Sequence, residues 1–122
     1  MTLSDRLDDL RHQVPGCSLV SFGDMSTGLA LRTSAARSYK QDYLEDVLRQ
    51  AVENFQLSDL MTDLMSEGND LVVVATPDEV RVFVRSRAGN ADIVCCICDS
   101  ASEIPQITQA AQQILSDMAQ AA

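Results

Sequence analysis

Residues 91–99, ADIVCCICD, place three cysteines within four positions, and a fourth, Cys17, lies far away in the chain. In an extended strand Ile93, Cys95 and Ile97 face one side, and Val94, Cys96 and Cys98 face the other. Both faces are apolar, the pattern of a strand covered on both sides. This strand is therefore expected at the centre of a sheet, with helices packed above and below. Buried cysteine behaves as a small hydrophobe. A zinc site needs four ligands converging tetrahedrally, usually from a C-x₂₋₄-C knuckle in a turn. Cys95 and Cys96 point apart, so at most Cys17, Cys96 and Cys98 converge. His12, the only histidine, falls on the polar side of the first helix. We read the cysteines as core, with a redox contact to Cys17 as the alternative, and expect no metal and no cofactor.

Around this strand the chain divides cleanly. Leu3, Leu7, Leu10 and Val14 form one stripe of a short helix that Pro15-Gly16 ends. CSLVSFG (17–23) and GLALRTS (28–34) read as a hairpin around GDMST. From Asp42 a second helix shows Leu44, Val47, Leu48, Ala51, Val52 and Phe55 on one face. Leu57, Leu60, Met61, Leu64 and Met65 then form a rotated stripe. This predicts a kink or break near Gln56–Ser58 and a short further helical segment to about Met65, closed by Gly68. DLVVVATP (70–77), EVRVFVRSR (79–87) and the cysteine strand follow at hairpin spacing. Ser102 is a plausible N-cap for a last helix carrying Ile104, Ile107, Ala111, Ile114, Leu115 and Met118. Short turns between consecutive strands imply antiparallel pairing. The expectation is a single α+β domain over 1–122 with one five-stranded antiparallel sheet.

The 122 residues suffice to bury a core without a metal or disulfide. The net charge of −9 argues against nucleic acid and anionic membrane as partners. Residues 41–79 hold ten acids and one base, Arg49, which accounts for the whole excess. This is either a solvated helix face or a footprint for a basic partner. No apolar run spans a bilayer, and the acidic N-terminus does not read as a signal peptide, so the expected location is cytoplasmic. GDMSTG lacks the lysine and following helix of a phosphate loop, and no nucleophile elbow exists. One histidine leaves little for acid–base work beyond carboxylates, so an enzyme is not expected. Arg81, Phe83, Arg85 and Arg87 share one strand face. They either snorkel and pair with the acidic helix or form a contact surface for an acidic partner.

The order of elements, with Pro15-Gly16-Cys17 through Asp24 and then Gly28-Leu29-Ala30-Leu31, resembles the Roadblock (dynein light-chain) domain family. The chain departs from that pattern at 57–69 and at DSASEI before the last helix. The resemblance implies a Roadblock/profilin-like sheet in the order 2-1-5-4-3, with the cysteine strand central and Cys17 beside its end. A disulfide directly across such a ladder is strained, and the expected compartment is reducing. The resemblance also implies a homodimeric or heterodimeric scaffold, often bound to a Ras-like small GTPase. Such dimers join through the central helix and third strand, which points to Leu48, Phe55, Val72 and Val74 as interface residues. Independently, LVVVA would be an exposed apolar edge unless paired, or unless 57–66 covers it. A GTPase-activating role would need a charge-stabilising arginine, for which Arg81, Arg85 and Arg87 are the clustered candidates. The leading expectation is a non-enzymatic dimeric regulator or scaffold of a small GTPase system. The alternative is a small-molecule sensor on the same kind of sheet, which would require an internal pocket.

Overall fold

The computed structural model describes residues 2–65, 70–87, 90–99 and 104–121. Helix α1 spans Leu3–Gln13, followed by β1 (Cys17–Asp24), β2 (Leu29–Ala35) and helix α2 (Gln41–Met65). Strands β3 (Leu71–Ala75), β4 (Val80–Arg85) and β5 (Asp92–Cys98) precede helix α3 (Ile104–Ala121). All strand pairs are antiparallel, and the order is β2-β1-β5-β4-β3, with the cysteine strand in the middle.

Local chemistry sets the element ends. The Thr2 hydroxyl accepts from the Asp5 amide while the Asp5 carboxylate accepts from the Thr2 amide, a reciprocal cap for α1. The β1–β2 turn is closed by Gly28 N–H donating to the Asp24 carbonyl, 2.9 Å, with Gly28 at φ +74°. Only glycine takes that backbone without steric cost.

Two apolar layers sandwich the sheet. On one face Leu7 and Leu10 of α1, Val14 just past its end, and Ile107, Ala111, Ile114 and Leu115 of α3 meet Val82, Val84, Val94, Cys96 and Cys98. On the other, Leu44, Val47, Leu48, Ala51 and Phe55 of α2 meet Leu19, Phe83, Ile93, Cys95 and Ile97. The alternation read along β4 and β5 therefore divides as expected.

The helix does not break where the stripe rotates: α2 runs continuously for 25 residues. No glycine or proline interrupts 41–65, and its Leu, Met, Gln and Glu content sustains helix even where the apolar stripe changes side. At about 1.5 Å per residue it is longer than the strands beneath it, so its last turns extend past the core. Gly68 and Ser102, read as helix signals, lie outside the described residues.

Candidate partner-binding surface

The arginine row on β4 is largely occupied from within. Arg85 donates to both Asp59 oxygens (2.9 and 2.6 Å) and to Asp70 (3.2 Å), with its guanidinium 4.7 Å from the centre of the Phe55 ring. The Arg85 hydrogen bonds hold the Asp59 carboxyl below its ordinary value, and Asp59 in turn raises Arg85. Arg81 donates to Glu79 (2.6 Å) and Gln50 (2.8 Å). Three of the ten acids of 41–79 are thus engaged by arginines of β4. Arg87 differs: its side chain is 73% exposed and it meets Asp70 only at 3.7 Å. Phe83 is completely enclosed beneath α2, which removes it from the candidate contact set. Of the four residues, Arg87 alone presents its charge to solvent.

The four expected dimer residues also separate. Leu48 and Phe55 face the sheet and are buried in the α2 layer, so neither is available to a second molecule. Val72 and Val74 point to the same side and pack partly under α2. The open positions of β3 are of the other parity. Arg85 N–H donates to the Asp70 carbonyl and Thr76 N–H to the Glu79 carbonyl, which fixes the phase of the β3–β4 ladder. Asp70, Val72, Val74 and Thr76 therefore bond inward, and Leu71, Val73 and Ala75 turn their N–H and C=O groups outward. Val73 is 39% exposed and Ala75 is exposed as well. The described part of 57–66 does not shield this edge at those positions.

Beyond Phe55, α2 shows a second apolar surface. Leu57, Leu60 and Met61 are 60%, 62% and 50% exposed. At 3.6 residues per turn they lie about half a turn from Phe55 and Asp59, which face the sheet. The same outward side carries Asp42, Asp46 and Glu53 nearer the start of the helix. Asp46 is bonded by Arg49 at 2.7 Å, a pair in open solvent. The surface is thus acidic in its first half and apolar in its second. The stripe was visible in the sequence, but its spacing alone does not say whether it meets core or solvent. A further cluster does not show in the hydrophobic pattern: Tyr39 and Tyr43 stack with centroids 5.1 Å apart, and Arg37 lies 5.2 Å from the Tyr39 ring. The four-residue spacing of the two tyrosines in YKQDY was the available signal.

A third feature lies on the opposite face, where neither α1 nor α3 covers β3. A groove of about 840 Å³ runs between α3 and the sheet edge, lined by Leu71, Arg87, Ile104, Pro105, Gln109 and Gln112 among others. Among the described residues no group of three or more His, Cys, Asp or Glu is placed to hold a metal ion. No described helix is long and apolar enough to cross a membrane.

No protein-family model matches the sequence, and no curated protein matches it. Solved structures do. A Roadblock/LC7 domain from Streptomyces avermitilis superposes with TM-score 0.81 at 11% identity, over 99% of this chain and 98% of that one. An MglB with a tetrameric arrangement gives 0.80 at 14% identity, over 98% and 90%. A profilin from Schizosaccharomyces pombe gives 0.64 at 11%, over 96% and 98%. At these identities the likeness concerns the fold: the chain has a Roadblock-type fold, in the sheet order that the Roadblock resemblance implied.

Proposed function

We propose that this protein is a non-enzymatic, dimeric interaction module that regulates or scaffolds a Ras-like small GTPase system. The observation that carries the reading is the open β3 edge, with outward backbone groups at Leu71, Val73 and Ala75. Antiparallel pairing of two copies about a twofold at Val73 sets Leu71 of one copy opposite Ala75 of the other. That register adds about six backbone hydrogen bonds and continues one sheet into the next. The tetrameric arrangement of the structurally similar MglB supports assembly as a habit of this fold. The outward face of α2, acidic then apolar, is the surface offered to the GTPase. Arg87 is the arginine free to meet a further partner; Arg81 and Arg85 are spent on internal pairs.

The test is mass in solution. Light scattering on the eluting protein should give twice the 13.3 kDa chain mass. Val73→Pro removes an outward N–H while leaving the β3–β4 ladder intact, so it should be monomeric with an unchanged circular dichroism spectrum. A wild-type monomer at micromolar concentration would refute the dimer. For the GTPase, titration with a Ras-like protein held in its triphosphate state should show binding that Leu57→Asp with Leu60→Asp abolishes. Equal binding by that variant would remove α2 from the interface.

The groove beside α3 favours a second reading, a small-molecule sensor. Its described lining is aliphatic, amide and hydroxyl (Ser86, Thr108 and Ser116), with Arg87 as the one charge. A small-molecule screen by thermal shift, with Gln112→Trp as the blocked control, tests it. The sensor reading predicts stabilising compounds that the control no longer responds to.

A further inference from the structure

We infer that Cys17 and Cys98 form a redox-active dithiol that closes to one intramolecular disulfide, leaving Cys95 and Cys96 as free thiols. This does not depend on the dimer reading. The argument begins with register. Cys17 on β1 stands directly opposite Cys98 on β5, just before a bulge that shifts the ladder between Cys17 and Leu19. The next pair outward, Gly16 and Asp99, is joined by the Asp99 N–H donating to the Gly16 carbonyl at 3.0 Å. Hydrogen-bonded and non-hydrogen-bonded pairs alternate in an antiparallel ladder, so Cys17 and Cys98 occupy a non-hydrogen-bonded pair. The Cys17 N–H confirms the phase, because it donates back to the Val14 carbonyl at 3.1 Å. Opposed Cα atoms in such a pair stand about 4.5 Å apart with their side chains close, within the span a disulfide bridges, and the strain of a bridge directly across a ladder makes it the readily reduced, redox-active kind.

The same ladder excludes the other combinations. Cys96 opposes Val20, so it meets Cys17 only on the diagonal, at about 7–8 Å, too far for a bridge without backbone movement. Cys95 belongs to the α2 layer, on the far side of the sheet from the other three. All four are unbridged thiols here. Cys17 is the least buried of the four, 8% exposed at the start of β1, while Cys95, Cys96 and Cys98 are at most 2% exposed. Electrostatics supports the division of labour. Cys17 lies below the ordinary thiol value, chiefly through its pairing with Cys98 and with a smaller contribution from the Arg11 charge, while the same pairing and burial hold Cys98 above it. Cys17 is therefore the attacking sulfur and Cys98 the one that resolves.

The oxidant is a low-molecular-weight disulfide, for which oxidised glutathione is the probe. The Cys17 thiolate attacks one reagent sulfur, breaking the S–S bond and releasing one glutathione thiolate. Cys98, as its thiolate, then attacks the Cys17 sulfur of the mixed disulfide and expels the second. Two electrons pass from the two cysteines to the reagent, and their two protons leave with the two glutathione thiols.

The experiment incubates the native protein with oxidised glutathione, denatures it in iodoacetamide and weighs it. The expected result is a fall from four alkylated cysteines to two, with Cys17 linked to Cys98 in the fragmented peptide spectrum. Cys96→Ala should still form the link, falling from three alkylated cysteines to one; Cys17→Ser should retain three, and Cys98→Ser should show two alkylated cysteines with one glutathione held on Cys17. The wild-type mass and linkage stand on their own should a serine variant fold poorly. Four alkylated cysteines, a glutathione adduct that never resolves, a Cys17–Cys96 link or a chain-to-chain link would each overturn the assignment.

Discussion

Whether Arg85 is a structural clamp or a free contact residue can be decided by removing it. Three groups hold its side chain: a two-point pair with Asp59, a single bond to Asp70 and the face of Phe55. Asp59 is more than half exposed, so its pair is discounted for screening to about 0.5 kcal/mol. Asp70 adds roughly 0.5, and the arginine over Phe55 about 0.5–1 kcal/mol. Arg85→Ala should therefore cost about 2 kcal/mol in urea unfolding, and Asp59→Asn only about 0.5. The double-mutant cycle isolates the Asp59 coupling, which should shrink in 1 M NaCl while most of the Arg85→Ala cost remains. The pH dependence has a definite sign. The folded Asp59 value lies below the unfolded one, so its contribution is complete above the unfolded value, near 4. It disappears as pH falls through the lower, folded value. An Arg85→Ala cost under 0.5 kcal/mol would refute the clamp and return Arg85 to the set of residues open to a partner.

Three further outcomes follow from the same geometry. Phe83→Ala, in the enclosed layer, should cost about 3–5 kcal/mol, and Val73→Ala on the open edge less than about 0.5, both by urea unfolding. Leu60→Glu should leave the unfolding midpoint nearly unchanged while weakening capture of an α2 partner, measured by titration calorimetry. Cys95 is pushed by burial up to about 12, so iodoacetamide at pH 8 should leave it unmodified in the folded protein and label it fully in denaturant, read by peptide mass.

The sequence made the sheet legible because strand periodicity reports burial directly. Ile93, Cys95 and Ile97 against Val94, Cys96 and Cys98 announce two covered faces, and that alone puts β5 in the middle. The end of α2 misled for a physical reason. An apolar stripe that rotates looks like a break when every stripe is assumed to meet the core. Here the backbone stays helical and Leu57, Leu60 and Met61 simply turn to solvent. The interface residues were half legible. That β3 is an edge could be argued from its apolar run. Which of its residues face outward depends on the phase of the β3–β4 ladder, which needs the Asp70–Arg85 and Thr76–Glu79 bonds to be seen. Spacing likewise showed that Leu48 and Phe55 share a face without saying that this face meets the chain's own sheet. Arg81 and Arg85 do share one side of β4, while Arg87 falls past its end. The sequence left open whether they pair with the acidic helix or meet a partner, and the bonds to Asp59 and Gln50 decide it for Arg81 and Arg85.

The position of β5 also sets a timetable for folding. β1 and β2 form one local hairpin and β3 and β4 another, and neither touches the other in the finished sheet. Both wait for the last strand of the chain order to slot between them. Its pairing with β1 joins residues as far apart as Cys17 and Cys98. Closing so long a loop is slow relative to hairpin formation. Until it happens, β1 and β4 each present a bare apolar edge that in the native sheet is fully internal. The strand that best reveals the fold in the sequence is thus the one whose late arrival governs how fast the fold is reached. Substitutions in 93–98 should slow refolding more than equally destabilising ones in β2.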